Sequence, residues 1–131
     1  MMAKLERSPQ PARMEAVSRD ALVQAALQEI NQNYREASLS NVARSYGVSL
    51  AYVSECVRAQ TGRTYKELLQ KHRMETAARL LRRSDLNIQQ IIAQVGYENT
   101  SYFYRLFHER YGLSPREYRM VRTGTAPRRP S

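Results

Sequence analysis

Cysteine is almost missing from this chain of 131 residues. Cys56 stands alone, so no intrachain disulfide can form and no Cys-x-x-Cys pair exists for zinc or redox work. A single thiol fits a reducing compartment, and a cytoplasmic location is the expectation. Histidine is scarce as well. His72 and His108 fall on different segments, and no His-Glu-x-x-His is present. There is no Walker loop, no Gly-x-Ser-x-Gly and no dinucleotide-binding glycine pattern. The expectation is therefore a non-enzyme with no catalytic residues, cofactor or metal. Long apolar runs are lacking too: Met1–Val17 holds no signal-like stretch, and no segment is long and apolar enough to cross a bilayer. Lysine is rare, with only Lys4, Lys66 and Lys71 among the 21 basic residues.

What is present is arginine. Against 12 acidic residues the basic ones leave a formal charge of +9 and a pI near 10.1. Such an excess suits a polyanionic partner. Arginine adds a planar fork that bonds phosphates and guanine edges bidentately, as lysine cannot. Hydrophobic residues make up 42% of the chain, enough for a small globular core.

Residues 1–17 carry Pro9, Pro11 and mixed charge without periodicity, and read as a flexible lead; 123–131 read as a flexible, proline-rich tail. Between them every segment has helical spacing, with glycine and proline only at the joints and no strand-like alternation. Ser18 caps a first helix, with Leu22, Val23, Ala26, Leu27 and Ile30 on one side, ending near Tyr34. A short helix spans about Leu39–Tyr46, and Ser49 caps a third that runs to about Thr61. Thr64 opens a long helix to about Arg83, burying Leu68, Leu69, Ala77, Leu80 and Leu81. Asn87 starts a short helix ended by Gly96, and another runs from about Thr100 to before Gly112. The last begins at Ser114-Pro115 and ends near Val121.

The middle of the chain repeats. Leu39, Val42, Ala43 and Gly47 match Ile88, Ile91, Ile92 and Gly96 at an offset of 49. Val53, Cys56, Val57 and Gly62 match Phe103, Leu106, Phe107 and Gly112 at an offset of 50, so the second turn holds one extra residue. Thr64-Tyr-Lys-Glu67 and Ser114-Pro-Arg-Glu117 both have capping-box form. Each copy is a helix, a tight turn and a second helix, the layout whose second helix enters a major groove. The expected fold is all-α: seven helices in two helix-turn-helix subdomains, a homeodomain-like tandem joined by a long linker helix. The expected domains are 18–62, linker 63–84 and 85–122.

In each second helix one face is apolar, and the opposite face supplies the candidate contacts. Ala51, Ser54 and Glu55, with Thr100, Ser101, Tyr104 and Arg105, are candidate base readers. Arg105 suits guanine O6 and N7, and Glu55 suits cytosine N4. Ser49, Tyr52, Arg58, Asn99, Tyr102 and His108 are candidate phosphate contacts, with packing the other reading of Tyr52 and Tyr102. The bland reading of the same residues is an ordinary solvated face. For Cys56 the bland reading, a core position, is the better one.

The run from Ile88 to Arg119 strongly resembles the signature of the AraC/XylS family of bacterial regulators. The matching positions are Ile88, Gly96-Tyr97, Ser101 with Phe103, Phe107-His108, Gly112 with Pro115, and Tyr118-Arg119. Upstream, Ser49, Gly62, Tyr65, Leu69, Arg73, Ala77 and Leu80-Leu81 resemble it too, so the likeness spans about 18–122. His108 stands where the family usually has lysine, Glu55 where basic or amide readers are common, and Ile92 where alanine is common. Cys56 and Val57 stand where larger apolar residues are frequent. The resemblance implies two helix-turn-helix units tied by one helix, binding to double-stranded DNA near a promoter, and activation through RNA polymerase. It supports base readout less well in the first unit than in the second.

Two accounts of the whole protein stay open. One is a stand-alone regulator, monomeric on DNA, which the starting Met-Met modestly favours; the other is the DNA-binding end of a longer product. The rival function is a protein-interaction module that binds RNA polymerase or another regulator and DNA only weakly.

Overall fold

The computed structural model describes residues 18–123. The expected flexible lead, 1–17, and the tail beyond Thr123 lie outside the described residues. Seven helices and no strand are found among the described residues. They are α1 (Arg19–Asn33), α2 (Leu39–Tyr46), α3 (Leu50–Thr61), α4 (Tyr65–Arg83), α5 (Ile88–Gln94), α6 (Thr100–Tyr111) and α7 (Pro115–Thr123). The last runs two residues past the expected end at Val121. The chain divides into two compact units between Leu69 and Gln70, within α4.

The helix starts follow from local chemistry. Ser18, Ser38, Ser49 and Asn99 are N-caps whose side-chain oxygens accept from the backbone N–H three residues on. Thr64 with Glu67 and Ser114 with Glu117 form the two expected capping boxes, all four bonds 3.0–3.1 Å. A third box, Asn87 with Gln90, closes at 2.8 Å on both sides and explains how the seven-residue α5 holds its start.

The repeat is visible in the stops. After α2, Gly47 N–H donates to the Arg44 carbonyl and Val48 N–H to Ala43. After α5, Gly96 and Tyr97 do the same to Ala93 and Ile92. Both are Schellman closures, which need a residue at positive φ; Gly47 sits at +67° and Gly96 at +102°. A Cβ on Gly47 would meet nothing within 4 Å, so backbone conformation rather than space selects glycine there. The extra residue falls between this glycine and the next cap: Val48 alone in the first unit, Tyr97 and Glu98 in the second.

The first unit has one continuous core. Leu22, Val23, Ala26 and Ile30 of α1 meet Leu39, Val42 and Ala43 of α2, then Val53, Cys56 and Val57 of α3, closed by Val48 and Tyr65. Cys56 is a free, buried thiol, 3% exposed, which favours its core reading. Leu68 and Leu69 pack against the edge of this core.

The second unit buries Met74, Ala77, Ala78 and Leu81 of α4, Ile91 and Ile92 of α5, and Phe103, Leu106 and Phe107 of α6. Aromatic rings dominate. Phe107 lies 5.8 Å from Phe103, 4.6 Å from Tyr111 and 5.4 Å from Tyr118, centroid to centroid. Leu80, expected inside, is only half-buried, while Thr76 is buried. Arg119 closes the end of α4: Nε donates to the Leu81 carbonyl at 3.0 Å and Nη2 to Ser84 at 3.0 Å. A cation beside these last carbonyls also suits the negative end of the helix dipole. Arg82 Nη1 donates to the Tyr118 hydroxyl at 2.8 Å. The Tyr118-Arg119 pair therefore has a structural task.

Candidate nucleic-acid interface

α3 and α6 have the same construction. In α6, Phe103, Leu106 and Phe107 are buried, while Ser101, Tyr104, Arg105 and His108 on the other face are exposed. In α3, Val53, Cys56 and Val57 are buried, while Ala51, Ser54, Glu55 and Arg58 are exposed. This is the spacing of a half-buried helix, and it leaves these eight candidate positions exposed.

Tyr52, Thr100 and Tyr102, expected on the open face, are half-buried. Tyr52 lies beneath the Arg19 guanidinium at 5.9 Å, and Tyr102 beneath that of Arg105 at 5.1 Å. Tyr52 packs against the first core, and Tyr102 meets Tyr97 edge-on with its hydroxyl accepting from Gln70 Nε2 at 3.2 Å. Ser49 and Asn99 spend their side-chain oxygens on the caps, at 3.0 Å to Tyr52 N–H and 2.9 Å to Tyr102 N–H. The Ser49 hydroxyl hydrogen and the Asn99 amide N–H groups remain as donors.

Sequence reasoning passed over Leu50. At the first position of α3 it is 48% exposed, more than any other large hydrophobic residue described. Periodicity alone puts it with Val53 and Val57 inside. Its place at the helix start leans the side chain beyond the core layer, since helical side chains tilt toward the N-terminus.

Electrostatics also separate the two faces. Arg105 Nη1 lies 3.3 Å from Glu109 Oε2, an exposed pair one helical turn apart. The first unit has Glu55 at the position of Arg105 and Ala59 at that of Glu109. Behind α6, Arg73 sits over the Tyr97 ring at 5.2 Å. Burial pushes the Tyr97 hydroxyl above its ordinary pKa, with Arg73 opposing. Burial likewise raises that of Tyr111, with Tyr118 adding to it. Both stay neutral phenols at physiological pH. Among the described residues no three His, Cys, Asp or Glu side chains come together as a metal site, and no helix is long and apolar enough to cross a membrane.

Capped helix pairs with exposed polar second helices define a tandem helix-turn-helix fold, the layout whose second helix can enter a DNA groove. Comparison with known proteins specifies it further. A family model described as a helix-turn-helix domain matches residues 42–120. The chain belongs to the AraC/XylS family of DNA-binding transcription regulators. It is 36% identical over 92 residues to the transcriptional activator NphR of Rhodococcus sp, covering 69% of this chain and 27% of NphR. It is 32% identical over 89 residues to the transcriptional activator RhaS of Shigella boydii, covering 68% of this chain and 32% of RhaS. To the transcriptional activator PerA of Escherichia coli it is 29% identical over 114 residues, 82% of this chain and 39% of PerA. The chain thus spans between about a quarter and two fifths of the length of these relatives.

Among solved structures, the C-terminal domain of AraT, a response regulator from Geobacillus stearothermophilus, matches at 36% identity. Its TM-score is 0.71, over 77% of this chain and 85% of that one. The DNA-binding domain of AdpA, solved with a target DNA, shares the fold at a TM-score of 0.70 and 20% identity, over 79% of this chain and 93% of that one.

Proposed function

We propose that this protein binds specific double-stranded DNA sequences as a transcription activator, with α3 and α6 reading two successive major grooves about one helical turn, ~34 Å, apart. The observation that carries the reading is the exposed face of α6, where Ser101, Tyr104, Arg105 and His108 stand opposite a fully buried aromatic side. A helix anchored in this way can present donors to base edges without losing its own packing. Arg105 takes guanine, Ser101, Thr100 and Tyr104 lie around it, and Asn99, Tyr102 and His108 meet phosphates. In the first unit Glu55 accepts from cytosine N4, with Ser54 and Ala51 beside it and Ser49, Tyr52 and Arg58 on the backbone. Exposed Leu50 adds an apolar contact suited to the thymine methyl. The activator role draws on relatives named as activators, and it implies contact with RNA polymerase by a protein that is monomeric on DNA.

Selection from a random duplex pool at physiological salt tests this. The expected result is two short enriched motifs about one turn apart. One motif would restrict reading to a single unit. No enrichment by folded protein would favour the interaction-module reading. Affinity should also fall steeply with salt, each neutralised phosphate steepening the log–log slope by ~0.9.

A further inference from the structure

Arg105 is held on two sides. Its guanidinium carbon lies 5.1 Å from the Tyr102 ring centroid, and Nη1 lies 3.3 Å from Glu109 Oε2. The Tyr102 ring is fixed in turn: its hydroxyl accepts from Gln70 Nε2 at 3.2 Å, and it meets Tyr97 edge-on at 5.9 Å and 63°. The Arg105 side chain is nonetheless 59% exposed. A guanidinium has five N–H donors and Glu109 engages one nitrogen, so most of the fork stays open.

Helix stability does not account for the pair. An acid placed after its base at i+4 is the weaker order, and Glu109 lies in the last turn of α6, where the helix dipole disfavours negative charge. A carboxylate there also opposes binding to DNA phosphates. What it supplies is restraint. A free arginine beside a duplex can turn to any phosphate; one stacked on a ring and paired with a carboxylate is biased toward one heading. The first unit has no such device, because Glu55 and Ala59 occupy the equivalent positions.

We propose that Tyr102 and Glu109 are positioning residues that hold the Arg105 fork for a guanine edge and so set how strongly the second unit prefers guanine. This rests on Arg105 being the base reader described above.

The test uses the full chain and its selected duplex. Affinity is measured with guanine and with each other base at the position Arg105 reads, and for random duplex. Tyr102→Leu is expected to lower guanine preference about two- to fivefold, the scale of one cation–π contact. Glu109→Gln is expected to lower it about twofold, the scale of an exposed ion pair, while binding to random duplex tightens. Tyr102→Phe keeps the ring and its edge contact with Tyr97 while losing the Gln70 bond and the phosphate contact, so it should retain more of the guanine preference than Tyr102→Leu even where overall affinity falls. In an Arg105→Ala background neither change should alter base preference. Equal weakening on all sequences, or the same effect without Arg105, would overturn the positioning role. If Arg105→Ala relaxes one base position while the Tyr102 and Glu109 variants leave preference intact, positioning alone fails. If Arg105→Ala changes no base preference, the underlying readout fails with it.

Discussion

Where the first unit buries Val57, the second buries Phe107; where the first exposes Glu55, the second exposes Arg105. The backbone devices around these residues are shared. Both first helices end in Schellman closures, and both second helices end on a positive-φ glycine whose N–H returns to the carbonyl four residues back, Gly62 to Arg58 and Gly112 to His108. One backbone plan therefore carries two chemistries: an aliphatic core beneath a face with an acid, and an aromatic core beneath a face with a restrained arginine. Turn and cap chemistry fixes the shape, and side chains on either side of α3 and α6 vary independently of it.

The cores can be separated by deletion. Phe107→Ala removes a ring in contact with Phe103, Tyr111 and Tyr118 and should destabilise the second unit by about 3–5 kcal/mol. Val57→Ala should cost the first unit roughly 1.5 kcal/mol for two buried carbons. Thermal melts of the two variants check the order; equal losses would mean that the aromatic cluster adds nothing to packing.

The reading faces come next in size. Arg105→Ala should cost ~1–3 kcal/mol at one base pair and relax specificity only there. A uniform loss over all sequences, read by competition binding, would make Arg105 a phosphate clamp. Glu55→Ala should relax one position in the other half-site by a smaller amount, and it should raise affinity for random DNA by removing a negative charge. In that half-site, deoxyuridine in place of a thymine deletes only the methyl group. It should weaken wild type and leave Leu50→Ala unaffected; equal responses would remove Leu50 from the readout.

The smallest effect expected is a pH dependence in the second unit. Burial lowers the His72 pKa below 6.5, with Glu75 opposing and Arg79 adding to it. Well above pH 6.5 the imidazole is neutral folded or unfolded, and the full stability is present. As pH falls below that value the unfolded chain takes up the proton first, so stability declines until the folded pKa is also passed. Chemical denaturation from pH 7.5 downward should show this slope, and His72→Gln should flatten it.

Much of this comparison was legible in the sequence because it is local. The caps at Ser18, Ser49 and Thr64 and the glycine stops each depend on residues within about five positions of one another. The buried triads of α3 and α6 followed from spacing alone. What escaped depends on contacts between distant segments or on helix ends. Arg119 reaches carbonyls 35 to 39 residues earlier, Gln70 meets Tyr102 32 residues on, and no periodicity encodes either. Leu50 has the spacing of a core residue and escapes burial only because the helix begins there. Tyr52 and Tyr102 are half-buried because partners on other segments pack against them, the first unit's core and Arg19 for Tyr52, Tyr97 and Gln70 for Tyr102.

The central claim is that both units read sequence, each through its own helix. The most direct measurement is a scan of single base-pair substitutions across the selected site, repeated for wild type, Glu55→Ala and Arg105→Ala. The account predicts two blocks of sensitivity about one helical turn apart, one flattened at a single position by each variant. A single block, or two variants that relax the same position, would contradict it.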